Sequence, residues 1–173
     1  ALLRIEYARP SIYRMTDPLE KLLGSAARVK LLRLFLFNTN QFFTIPDIAS
    51  RARVTERTVR KELNLFHSIH MVRRASTRKR SGARYGLNAD FRYILAMQNF
   101  LLNAPAHGAN IYDYIRKAGS IKLIVLSGVF VGEWDGTLDL LVVGDRIKDR
   151  KLRTLLRRFE SELGRELRYS YLA

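Results

Sequence analysis

The chain has 173 residues, room for one medium domain or two small ones, and carries a formal charge of +15, from 31 Lys and Arg against 16 Asp and Glu. That balance, with a pI near 10.6, asks for a polyanionic partner, and the absence of cysteine excludes disulfides and thiolate zinc sites and makes the cytoplasm the natural compartment. No apolar run approaches the length of a membrane span, no segment reads as a signal peptide, and His67, His70 and His107 do not assemble a ligand set, so no membrane, metal or cofactor is expected. His67 and His70, three residues apart, read as partly buried or phosphate-facing side chains. The charge is uneven: residues 1–103 hold 19 basic and 7 acidic side chains, and residues 104–173 hold 12 and 9. A basic front half joined to a nearly balanced back half points to a nucleic-acid-binding module followed by a module with another task.

Residues 1–17 contain Arg4, Arg9 and Arg14 with Tyr7 and Tyr13, show no clear period, and read as an N-terminal arm. Asp17-Pro18 opens a helix in which Leu19, Leu22, Leu23, Ala26, Val29 and Leu32 keep a helical period, interrupted or split at Gly24-Ser25. Its continuation, Leu31 and Leu34 to Phe37, is so apolar that other elements must wrap it, and Asn38-Thr39-Asn40 ends it. Thr44-Ile45-Pro46-Asp47 is a second helix start, with a Thr cap, Pro in the first turn and an acid to accept the first amides. A third starts at Thr55, after the Arg51-Ala52-Arg53-Val54 turn. There Val59, Leu63 and Phe66 form an apolar stripe, while Arg57, Lys61, Asn64 and Ser68 line the opposite side. Residues 71–75 and 83–87 then read as a hairpin joined by the basic stretch 76–82. Between Arg51 and Arg84 there are eleven Lys or Arg against only Glu56 and Glu62.

The order helix, turn, helix, basic hairpin, with Val59, Leu63 and Phe66 in the second helix and Arg84-Tyr85-Gly86-Leu87-Asn88 closing the hairpin, resembles a winged helix-turn-helix. It is most similar to the arsenic-repressor-like transcriptional regulators. The resemblance implies double-stranded DNA as partner, a recognition helix in the major groove and a wing along the phosphates. The reading residues would be Thr55, Arg57, Thr58, Arg60, Lys61 and Asn64, since Arg and Asn can each make bidentate contacts to base edges. Arg73, Arg74, Arg78, Lys79, Arg80 and Arg84 would contact phosphates and the minor groove. Asn88-Ala89-Asp90 caps a further apolar helix running to about Leu102. In relatives of this class such a helix often builds the dimer interface, so a homodimer is expected.

Residues 103–108 combine Pro105 and Gly108 and mark the domain boundary. Beyond it come a short helix over 111–118, a buried strand over 121–126, a second strand over 138–143 ended by Gly144-Asp145, an amphipathic helix over 149–163, and a final alternating strand over 166–172. The tract from Leu123 to Asp145 resembles the strand, Gly-Ser loop and DxD strand of the polymerase-beta-like nucleotidyltransferases. In active members the Gly-Ser turn binds the triphosphate, and two acids one residue apart, with a third on the next strand, hold two Mg²⁺ ions. This chain departs from that pattern where the chemistry needs it. Gly128 is followed by Val129, which has no hydroxyl, and the positions of the paired acids are held by Thr137 and Asp139, so one carboxylate is replaced by a neutral Thr. Glu166 is a candidate third acid and Asp135 a substitute from the loop. One carboxylate does not clamp two divalent ions. The expectation is a degenerate fold without catalytic or metal-binding residues, kept for packing, self-association or ligand sensing; a small-molecule or nucleotide effector is left open. Trp134 either covers the former nucleotide pocket or a partner surface, or packs on its own domain.

Together these features predict an α+β chain: an arm (1–17), a winged helix of three helices plus a β-hairpin wing (18–89), a linker helix and hinge (90–110), and a small mixed α/β nucleotidyltransferase-like domain (111–173). The expected function is sequence-specific DNA binding by a cytoplasmic, nucleoid-associated transcriptional regulator. The rivals are a nucleotidyltransferase targeted by a winged helix, which the missing second carboxylate disfavours, and an RNA-binding winged-helix protein, which the helix face sized for a B-form groove disfavours.

Overall fold

In the computed structural model of the chain, which describes residues 18–75, 82–102, 108–131, 133 and 136–173, the first apolar period is two helices, α1 (Pro18–Leu22) and α2 (Ala26–Leu36). The arm, the hairpin tip with Arg78, Lys79 and Arg80, residues 103–107, Trp134 and Asp135 lie outside the described residues. Gly24, at φ +74°, turns the chain, and Ser25 caps α2 by accepting the Arg28 N–H at 3.2 Å. Strand β1 (Phe42–Thr44) leads into α3 (Ile45–Ala52), where Thr44 and Asp47 form a reciprocal capping box around Pro46. Arg53 closes α3 in the left-handed region, and Thr55 caps α4 (Glu56–Ser68) by accepting the Thr58 N–H. Strands β2 (Val72–Ala75) and β3 (Arg84–Leu87) form the hairpin, and β1 adds to β3, giving an antiparallel sheet of order β1-β3-β2. Helix α5 (Ile94–Leu102) follows.

One core forms around α2, whose Leu31, Phe35 and Leu36 are fully buried. Phe35 meets Phe43 and Phe66 edge-on, each at 6.3 Å between ring centroids, so α2 joins β1 to α4. Val59, Leu63 and Phe66 point into this core, as their spacing predicts. Phe66 to Ala would cost about 3–5 kcal/mol in lost transfer energy and cavity.

The second core is built by α6 (Gly108–Ile115), β4 (Ser120–Leu126), a 3₁₀ turn (Gly128–Val131), β5 (Leu140–Asp145), α7 (Asp149–Leu163) and β6 (Tyr169–Leu172). The sheet order is β4-β5-β6, with β4 antiparallel and β6 parallel to β5, as the crossover through α7 requires. Leu152, Leu156 and Phe159 of α7 cover one face of the sheet.

Several sequence expectations are corrected. The apolar helix after the hairpin begins at Ile94, not at residues 88–90, because Asn88 is committed elsewhere: its side chain donates to the His70 carbonyl at 2.9 Å and accepts the Asp90 N–H. The strand over 121–126 is not buried. It is an edge strand whose register shifts between Ile121 and Leu123, and Leu123 and Val125 stand 52% and 42% exposed. A continuous apolar run does not tell a strand covered on both faces from one covered on a single face. The last strand is shorter than its alternation predicts, and Leu138-Asp139 precede β5; the Asp139 and Leu140 amides both donate to the Arg168 carbonyl. His67 and His70 are exposed.

The two cores meet through α2, α3 and α7. Lys30 pairs with Glu162 at 2.9 Å, Arg33 donates to the Glu162 carbonyl at 3.1 Å, and Asn38 donates to the Leu34 and Gly164 carbonyls, each at 2.7 Å. Gly164 caps α7 at φ +73°, and a Cβ there would lie 2.5 Å from the backbone of Arg33 and Leu34. Only glycine permits both the turn and this approach.

Candidate functional site

The outward face of α4 follows from its inward one. With Val59, Leu63 and Phe66 in the core, the helical period leaves Arg57, Lys61, Asn64 and Ser68 exposed. Neither acid of this helix discharges that face. Glu62 is 3% exposed and turned inward, accepting from Arg28 Nε at 2.9 Å. Glu56 is taken by Arg60 at 2.8 Å, one turn along. Arg60 is thereby tied along the helix surface. Among the described residues no hydrogen bond or ion pair engages Arg57, Lys61 or Asn64, so their donors are open to a ligand. Thr55 and Thr58 are spent locally: Thr55 Oγ1 accepts the Thr58 N–H at 3.2 Å, and the two hydroxyls lie 2.9 Å apart.

The hairpin follows α4 in the chain, and its strand β2 contacts that helix. Cross-strand register sets Arg73 opposite Gly86, and Arg84 opposite Ala75 and Thr44. Strand alternation therefore places Arg73 and Arg84 on one side of the sheet and Arg74 on the other. The side chain missing at Gly86 leaves space for the Phe42 ring, and the Arg73 guanidinium lies over that ring, 5.1 Å from its centroid. Arg73, Arg74 and Arg84 are all exposed.

The second constellation centres on Asp139, which is fully buried. Arg168 reaches it with both arms of its guanidinium, Nε to Oδ2 at 2.9 Å and Nη2 to Oδ1 at 2.7 Å, and its own amide donates to Oδ2 at 2.9 Å. The Val129 N–H donates to Oδ1 at 3.0 Å. Burial pushes the Asp139 carboxyl up, but the donors from Arg168 and Val129 outweigh it and hold its pKa at about 2. Gly128, at φ +52°, faces the same carboxylate so closely that any Cβ would collide with Oδ1. Val129 contributes its backbone, while its side chain packs in the second core. Thr137 is exposed.

Two other candidate acids are committed elsewhere, while Asp135 lies outside the described residues. Glu166, the candidate third acid, pairs with Arg51 of α3 at 2.8 Å, and Asp145 pairs with Lys122 at 2.8 Å. Among the described residues no group of three His, Asp or Glu is spaced to hold a metal ion. Sequence reading passed over Arg168. The available signal was an arginine beside the alternating apolar positions of the last strand, close to a lone acid on the neighbouring one.

Comparison with protein-family models, with curated proteins and with solved structures found no match to this chain.

Proposed function

We propose that the chain is a sequence-specific double-stranded-DNA-binding regulator, with a winged helix-turn-helix in its first core and a nucleotidyltransferase-like second unit that performs no transfer. The observation that carries this reading is the α4 face: Arg57, Lys61 and Asn64 exposed and unengaged on a helix whose other side is locked into the core. A helix held so rigidly can enter the major groove, about 12 Å wide, without reorganising. Arg73, Arg74 and Arg84 of the adjoining hairpin supply the cations for flanking phosphates, which position the protein without specifying sequence. Thr55 and Thr58 act in this reading as the helix cap, and Arg60 as a partner of Glu56.

Asp139 is what makes transfer chemistry unsuited to this unit. In-line nucleotidyl transfer uses two cations held by carboxylates. Here Asp139, the carboxylate left at the motif position just before β5, is saturated by a guanidinium, so the charge a metal ion would supply is already covalently part of the chain.

Selection of bound fragments from a random duplex library tests the function. A reproducible enriched motif is expected, lost with Arg57→Ala/Lys61→Ala. Binding without an enriched motif, or equal affinity for duplex RNA, would overturn the assignment.

A further inference from the structure

Where α2 and α3 meet α7 and the start of β6, a cleft of about 780 Å³ opens between the two cores. Its walls carry six cationic side chains, Lys30, Arg51, Arg53, Arg153, Arg157 and Arg165, against the acids Glu160 and Glu166. Leu34, Leu156 and Leu167 form apolar wall between them. We propose that this cleft is a binding site for a small anion bearing several phosphate groups.

Size, charge and construction each support that assignment. Small-molecule sites fall at roughly 300–1,000 Å³ and favour the junctions between units. The cleft is built rather than accidental, because Lys30–Glu162, Asn38 to Gly164 and the close approach of Gly164 to α2 fix its two sides relative to one another. Some cations are already balanced: Lys30 by Glu162, Arg153 by Asp149, and Arg51 by Glu166. The side chains of Arg53 and Arg157 make no hydrogen bond or ion pair among the described residues, and both residues are exposed. Arg53 is moreover held in the left-handed region at φ 54°, at the end of α3. Guanidinium groups from two facing elements suit phosphate oxygens, which they bind in bidentate pairs. Glu166 is 72% exposed on its side chain and answers Arg51 from the rim, so an incoming phosphate competes with a partner that returns easily to water. The ligand would therefore replace Glu166 at Arg51, in the last turn before the bend into α4.

This inference does not depend on the DNA reading, and its test contains no nucleic acid. Inorganic triphosphate and ATP, each without Mg²⁺, would be titrated calorimetrically into the full chain at 150 mM salt. The cleft variant Arg53→Asn/Arg157→Gln is expected to weaken triphosphate binding at least tenfold. Asn tolerates the left-handed backbone at position 53, so folding is retained, as an unchanged melting curve would show. Glu166→Gln, which removes the competing carboxylate, is expected to tighten binding about threefold. The hairpin variant Arg73→Gln/Arg74→Gln should leave it within twofold. ATP binding more tightly than triphosphate would assign the apolar wall to a nucleoside; equal binding would assign the site to phosphate alone. An unchanged affinity in the cleft variant, or an equal loss in the hairpin variant, would reduce the effect to diffuse attraction by a basic protein and overturn the proposal.

Discussion

Asp139 shows how a buried carboxylate stays charged: three donors from Arg168 and one from Val129 surround it, so ionisation is favoured despite complete burial. The same bonds join three pieces of chain, the turn after β4 and the residues just before β5 and β6. Removing one partner of a buried pair costs about 3–5 kcal/mol, and here the Arg168 side chain left behind is 33% exposed, which puts the cost at the lower end. Asp139→Ala should therefore lower the urea-unfolding free energy by about 3 kcal/mol, whereas Asp139→Leu/Arg168→Leu should lose clearly less than the single change. The pair also sets an acid limit. Because the folded pKa, about 2, lies below the ordinary value of 3.8, its contribution is complete above the ordinary value and is lost as pH falls from there through 2. Thermal melts at pH 5, 4, 3 and 2 should show wild type losing, over that window, an increment on the order of 2 kcal/mol that Asp139→Asn does not lose. Parallel pH profiles for the two proteins would refute the assignment.

Within a single element, α4 separates reading from folding. Its N-cap and its inward stripe serve stability, and its outward face is free for a ligand. Thr55→Ala should cost about 1 kcal/mol of unfolding free energy through the lost cap, with no change in the sequence bound. Arg57→Ala and Lys61→Ala should do the reverse, each costing about 1–3 kcal/mol at a selected DNA site while leaving the melting temperature and random-duplex binding unchanged. The hairpin differs again. Arg73→Glu/Arg74→Glu should weaken all duplexes alike and reduce the log–log salt slope by about 0.9 for each phosphate that the variant no longer neutralises. A slope equal to wild type would show that the hairpin does not touch the backbone.

For the whole molecule, the two cores are expected to unfold together, because their contact is made of backbone groups and buried side chains rather than surface charges alone. Arg33, 3% exposed, and Asn38 both bond carbonyls of the other unit, and Gly164 lies against α2 without room for a methyl group. Calorimetry of wild type should give one cooperative transition. Gly164→Val, which combines a strained φ with a direct clash, should either split that transition in two or lower it by several degrees. Two separate transitions in wild type would show that the units are thermally independent.

How much of this was legible in the sequence depended on the distance over which each choice is made. The capping box at Thr44, the cap at Thr55, the stripe Val59-Leu63-Phe66 and the amphipathic span 149–163 were readable because caps and helical periods act within a few residues. From them the helical half of the α+β class and the exposed basic face of α4 followed directly. Asn88, Glu62 and Arg168 were not readable in the same way. Each looks locally like a cap, a surface acid and a strand-edge cation, yet each bonds a partner 18, 34 or 29 residues away. The exposed side of β4 is another such case, since a run of apolar residues does not say how many of its faces will be covered. The cleft between α3 and α7 is the clearest. Its arginines are scattered from position 51 to 165 and acquire a common purpose only when Gly164, Asn38 and Glu162 bring the two cores together. Local sequence decides backbone conformation and which face of an element is apolar; only tertiary contact decides which charges end up neutralised and which are left facing an open space.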